Sequence, residues 1–384
     1  MSRNWYSILI FSIILAPITL ENSDGIGISS NYLFFALVPI LLKLKFIKND
    51  DGLINFIYLI ISYLIGVAFN LIYYGFGEQE IIRQTVSVIA STLPLIFLFF
   101  NFKNHKGNFE NAVIICSTLY SSIVLAYFIV FWFFESGHAF MVKEYLGVHI
   151  TDWPQRYVLV IFAGFYFSLS RVNQKFYYKL LSVVFFLVIL LTYLRAAYLA
   201  IAISFIFYYL YSPRIGVLKI IMSHWKSVFI LIILALAIFL EGSVGSIFEY
   251  FMATFNALFS DGSTPASDAT RLNIWISALE VLKVNPITGN GGGGIYLYDP
   301  EFGSYHNQFI DILTRFGIVG LVIHFYYNYR IFKNPNITPA ISAILIAYLV
   351  FGLVHETIKL SYGAVIFYFL LSLSYSDKYK ETVN

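Results

Sequence analysis

Few side chains in this sequence can do chemistry, and those that can stand at informative places. His306 and Asn307 occur in GSYHNQFIDILTRFG, where a polar stretch runs into an apolar helical pattern. An imidazole titrates near neutral pH, so a histidine at such a junction is a candidate acid or base. Arg195 lies in FFLVILLTYLRAAYLAIAISF. There hydrocarbon supplies no partner, and a charge costs at least about 2.5 kcal/mol at the bilayer centre. An arginine kept there needs an anion, and no carboxylate is near it in sequence. Arg271 stands in SDATRLNIWISALEVLKVNP, one helical turn before Trp275, so guanidinium and indole can sit side by side. Each of these residues also has a plainer reading. Arg195 and Arg271 can snorkel to lipid headgroups, and His306 can be a satisfied interfacial histidine. Spacing alone leaves both readings open.

Lesser candidates surround them. Arg156 follows Trp153, Pro154 and Gln155; His355 and Glu356 stand beside Lys359; Arg315 lies deeper in the helix that His306 opens. These read as cavity lining. Counted at 3.6 residues per turn, His306 stands above Phe309, Ile310 and Leu313, whereas Arg315 points about 180° away and about 13 Å deeper. No metal site is expected, because no second His, Cys or carboxylate lies at ligand spacing. Cys116 is the single cysteine, which excludes an intramolecular disulfide. The run Gly291 to Gly294 lacks the ending of a phosphate-binding P-loop and reads as a flexible or tightly turned lid.

The elements that must position these residues are membrane spans. Of 384 residues, 59% are hydrophobic and 12% charged, and mean hydropathy is +0.77. The net charge of +3 is small and dispersed, which excludes a nucleic-acid partner. At roughly 20 apolar residues per span, about twelve transmembrane helices are expected. They fall near 5–20, 29–47, 53–75, 84–101, 111–134, 156–170, 177–193, 196–212, 226–241, 308–328, 338–354 and 359–375. The first is read as a retained span, since no small-residue cleavage pattern precedes ENSDG. The fold class is therefore all-α, a polytopic integral membrane protein with 1–384 as one membrane domain.

Lys and Arg collect in short cytoplasmic connections. One set of connections and termini holds Arg3, Lys43, Lys45, Lys48, Lys103, Lys106, Arg171, Lys175, Lys179, Arg214, Lys219, Lys226, Arg330, Lys333, Lys378 and Lys380. The opposite side holds Arg83, Lys143, Arg156, Arg195, Arg271, Lys283, Arg315 and Lys359, mostly isolated. Both termini are thus expected in the cytoplasm. Two outer connections are long, 135–155 and 242–307, and the second carries an interfacial helix over 268–285. Ser267 or Asp268 would cap that helix, Pro286 would end it, and Leu272, Trp275, Ile276, Leu279 and Leu282 would form its apolar face.

An arginine in YLRAAYLA, the RLNIW helix ending in NPITGNGGGG, and HN opening a span before FGIVGL together resemble the O-antigen ligase and polymerase superfamily of bacterial envelopes. The resemblance covers about 180–330. It implies a GT-C-like, metal-independent, inverting glycosyltransferase of the bacterial inner membrane with a periplasmic active site and no cofactor. Its donor is a glycan on undecaprenyl pyrophosphate. Arg195 and Arg271 match the positions that hold the pyrophosphate, and His306 the position of the general base or acceptor-orienting group. Polymerase activity is the preferred reading, transferring the growing chain to the next lipid-linked repeat unit. Ligation to lipid A core is the alternative, and a polysaccharide flippase or transporter is the rival from another class. Partners implied are the lipid-linked oligosaccharide, membrane lipids and a chain-length regulator. The transporter reading predicts broken helices in repeated halves, and neither is legible in the sequence.

Overall fold

The computed structural model describes residues 19–21, 27–29, 58, 61–62, 64–68, 72, 106–134, 154–192, 194–210, 266–291, 305–334, 337–355, 357, 366–367, 369–371 and 373. The helices are α1 (Lys106–Phe134), α2 (Pro154–Leu169), α3 (Phe176–Leu191), α4 (Arg195–Leu210), α5 (Ala266–Leu282), α6 (Gln308–Lys333) and α7 (Pro339–Gly352). Further helical residues occur within 58–72 and within 366–373. One feature departs from the all-α expectation. Thr19–Glu21 (β1) pairs antiparallel with Gly27–Ser29 (β2), in the register Thr19 to Ser29 and Glu21 to Gly27. The expected first span thus ends in strand at Thr19 and Leu20, where a β-branched residue suits a paired edge. The spans expected at 84–101 and 226–241 lie outside the described residues, as do most of 5–20, 29–47 and the long connections 135–155 and 242–307.

Six expected spans correspond closely to α1, α2, α3, α4, α6 and α7. Two helical segments, Phe109–Ala126 and Gln308–Lys333, are long and apolar enough to cross a bilayer, and four shorter helices are also apolar. What the helices leave uncovered points the same way. Ile115, Leu119 and Ile123 form an exposed stripe on α1, and Ile318, Val322, Phe325 and Tyr329 form another on α6. Apolar stripes of this length on a folded surface belong against lipid. This is a membrane protein.

Packing between the helices uses small residues and internal hydrogen bonds. Ser117 on α1 donates to Val160 O at 2.9 Å, and a Cβ on Gly164 would collide with Ser117. Close helix approach through small residues is the usual solution where lipid offers no hydrophobic drive. Tyr166 and Ser204 share a hydrogen bond of 2.5 Å between α2 and α4. Tyr348 on α7 donates to Leu159 O at 3.2 Å, and Phe162 meets Phe351 edge to face. α4 lies along α7, its most extensive neighbour.

These contacts divide the bundle into two ends. At one, Arg171 binds Glu110 and Asn111, Phe109 stacks on Phe369, and Asn334 donates to Leu373 O. The turns 170–175 and 334–338 therefore share that end. It also carries cation–π pairs of Lys175 with Tyr177, Arg330 with Tyr326 and Lys333 with Tyr329. The opposite end gathers the start of α2, the α3–α4 turn, the start of α6 and the exit of α7. Arg156, Arg195, His306 and His355 all map there.

Candidate functional site

α5 runs from Ala266, so Ser267 and Asp268 fall inside its first turn and not ahead of it, and it ends at Leu282, before Pro286. Its buried face also differs from the expected one. Ile274, Ala278 and Leu282 are buried, while Ile276 and Leu279 are about half exposed. The reason is tertiary: Ile274 and Ala278 pack with Tyr305, joined by Trp275 and Ile310, so the face is set by contact with α6. Trp275 donates its indole N–H to Tyr305 O at 2.8 Å, bracing the residue before His306. Arg271 lies one turn earlier on the same helix; its side chain lies outside the described residues.

Residues 285–291, after α5, form a hydrogen-bonded wedge set into a break in α6; of the glycine run expected as a lid, only Gly291 belongs to it. Gly317 interrupts that helix with φ 65° and ψ −163°, about 14 Å along from Gln308. A break in a helix strands backbone groups on both sides. The wedge takes them up. Ile318 N donates to Pro286 O (2.9 Å), Val319 N donates to Ile287 O (3.2 Å), and Thr314 O accepts from Asn290 N (2.7 Å). Ser62, one of the described helical residues before α1, lies 2.8 Å from Phe316 O and 3.1 Å from Thr288 O. Asn285 holds the wedge's own turn, donating to Thr288 Oγ1 and Gly289 O, each at 2.8 Å. Gly289 and Gly291 have positive φ, and a Cβ on Gly66 would lie 2.5 Å from Gly291 N. Irregular backbone at this depth is tolerated only when protein buries and satisfies it. Gly292, Gly293 and Gly294 lie outside the described residues.

Above the break, α6 begins with its cap. Asn307 Oδ1 accepts from Phe309 N at 2.9 Å and Ile310 N at 3.1 Å. Its amide donates to Leu353 O at 2.8 Å, and Thr357 Oγ1 lies 3.4 Å from Gln308 Oε1. The start of α6 is thereby stitched to the segment leaving α7. His306 stands before the cap in the left-handed region, φ 50°, alone among described non-glycine residues. Its helical phase with Phe309 and Leu313 does not hold, because the residue is not helical. Strain of this kind costs on the order of 1–3 kcal/mol and persists where surroundings over-determine it. Here Trp275 fixes the residue before it, and the residue after, Asn307, is held by its bonds to Leu353 O and to the first amides of α6.

His355 meets the His306 ring edge to face, centroids 6.4 Å apart, and stacks on Phe351 at 4.6 Å. Arg315 is drawn elsewhere. It is 3% exposed and its Nε lies 2.6 Å from Asp311 Oδ1, a buried (i, i+4) ion pair. Asp311 was not singled out from sequence, although an acidic residue one turn before an arginine was the available signal. Arg195 is the first residue of α4 and Arg156 lies in the first turn of α2; the side chains of both, and Glu356 entirely, lie outside the described residues. Among the described residues no cluster of His, Cys, Asp and Glu could hold a metal.

Residues 180–325 match the family model described as O-antigen ligase. The matched region takes in Arg195, Arg271 and His306, and the resemblance drawn from the sequence to the O-antigen ligase and polymerase superfamily stands. No curated protein matches the chain.

Proposed function

From the premise that residues 180–325 carry an O-antigen ligase domain, we propose that this membrane protein is an O-antigen polymerase of the bacterial inner membrane. It moves the growing glycan from undecaprenyl pyrophosphate to an incoming lipid-linked repeat unit at the periplasmic face. Arg195 and Arg271 hold the pyrophosphate through charge-assisted hydrogen bonds. His306 removes the proton of the acceptor hydroxyl as it attacks the anomeric carbon from the face opposite the leaving group. The reaction then inverts that carbon and needs no metal, since the leaving group is already activated.

The observation that carries the reading is the strained backbone of His306, braced by Trp275 and Asn307 at the bundle end where α2 and α4 begin. Orientation is supported by the far end, where Lys175, Arg330 and Lys333 lie over tyrosine rings as at a cytoplasmic headgroup layer. That orientation puts both termini in the cytoplasm and the connections 135–155 and 242–307 outside, with about twelve GT-C-like spans. A chain-length regulator would be the natural protein partner. The ligase alternative uses the same donor chemistry and takes its support from the description of the matched family.

The test is the lipopolysaccharide ladder of cells lacking the gene, complemented with wild type, His306→Ala, Arg195→Ala or Arg271→Ala at matched membrane levels. All three variants are expected to fail. Core carrying one repeat in the null strain identifies the polymerase, whereas long lipid-linked chains with bare core identify the ligase. Full complementation by all three variants overturns the transferase reading.

A further inference from the structure

His355 comes from the exit of α7, 49 residues beyond His306, yet two stitches bring it alongside: Asn307 to Leu353 O and Thr357 to Gln308. It sits between those anchor points, nine-tenths buried, one face stacked on Phe351. Its ring plane stands 76° to that of His306 with centroids 6.4 Å apart. The charged groups on the adjoining helix, Asp311 and Arg315, are bound to each other. We propose that His355 is the positioning and proton-relay partner of His306. This rests on the transferase reading above.

In the step, the acceptor O–H breaks as its oxygen bonds to the anomeric carbon, and the carbon–oxygen bond to pyrophosphate breaks with its electron pair on the leaving group. His306 takes the proton. His355 then receives it through one bridging water and passes it on to solvent, restoring His306 for the next cycle. The edge-to-face contact with His355 also limits the orientations open to the His306 ring. The proton balance needs no co-reactant.

The experiment uses the full chain in lipid vesicles, with the lipid-linked glycan extracted from the null strain as substrate. For His355→Gln, kcat is expected to fall about 10- to 100-fold with KM little changed. For His355→Ala, added imidazole is expected to restore part of kcat, which a purely structural loss would not allow. His306→Ala should be inactive, and the double substitution no worse than it. A His355→Gln enzyme within about twofold of wild type, or loss in both variants without imidazole rescue, overturns the proposal. Those results leave the transferase reading intact if wild type turns over and His306→Ala does not; an inactive wild type sinks that reading instead.

Discussion

Gly317→Ala tests whether the broken helix is as rigid as its hydrogen bonds imply. Gly317 combines φ 65° with ψ −163°, a region essentially closed to residues with a side chain. Adopting it costs alanine about 1–3 kcal/mol. A Cβ there would also collide with the Ile287 carbonyl, the acceptor for Val319 N. Displacing that carbonyl strands a buried amide, at about 1–3 kcal/mol more. The sum, about 2–6 kcal/mol, is a large part of the 5–15 typical of a whole domain. Thermal unfolding of the detergent-purified chain should register it as a fall of roughly 3–10 °C. Activity should fall further than stability alone accounts for, because the wedge joins α5 to α6, and displacement by about 1 Å can cost 100-fold in rate. Gly107→Ala is the matched control. A Cβ at Gly107 meets nothing within 4 Å, and in α1 alanine should be neutral or stabilising by up to about 1 kcal/mol. If Gly317→Ala melts with the wild type and restores the ladder, the break in α6 and the wedge that fills it are refuted.

Two further substitutions probe the parts around it. Asn307→Asp keeps the oxygen that caps Phe309 N and Ile310 N but replaces the donor to Leu353 O by a second acceptor; the chain should still accumulate in the membrane while the ladder is lost. Asn307→Ala loses the cap as well, about 0.5–2 kcal/mol more, and should melt below the Asp variant. Asp311→Asn alone should destabilise by about 3–5 kcal/mol by leaving Arg315 buried against a neutral partner, whereas Asp311→Leu with Arg315→Met should recover most of that loss in the same melting assay.

The described helices were legible because hydrophobic runs bounded by polar turns set helix length locally, as at Gln308–Lys333 and Pro339–Gly352. The wedge was not, because its meaning lies in partners far along the chain. PITGNG advertises conformational freedom, but nothing near it reveals that Ile318, Val319 and Thr314 supply the other halves of its hydrogen bonds. Gly317 inside FGIVGL looks like a tolerated glycine in a continuous span for the same reason. Trp275 reads from sequence as a companion to Arg271, and only the fold shows its N–H committed to Tyr305 O. The pairing of His306 with His355 depends on α7 returning to the start of α6. A cap residue with an unused amide was the one local hint, and Asn307 spends that amide on Leu353.

The break in α6 bears on the choice between enzyme and transporter. A broken helix near the membrane interior is where transporters bind ions and substrates, with unwound carbonyls and half-helix ends turned to the cargo. In this chain the Thr314 and Phe316 carbonyls, and the Ile318 and Val319 amides, are turned to Asn290, Ser62, Pro286 and Ile287. The chain's own backbone stands where cargo would, so the break serves to lock three segments together. The strained residue, His306, is found instead at the bundle end, outside the break. A rigid interior with strain concentrated at one face suits the proposed catalyst, fed sideways from a single leaflet, since a lipid-borne substrate need never cross the bundle. Alternating access would require α5, the wedge and α6 to part or slide on each cycle, against the buried hydrogen bonds that join them.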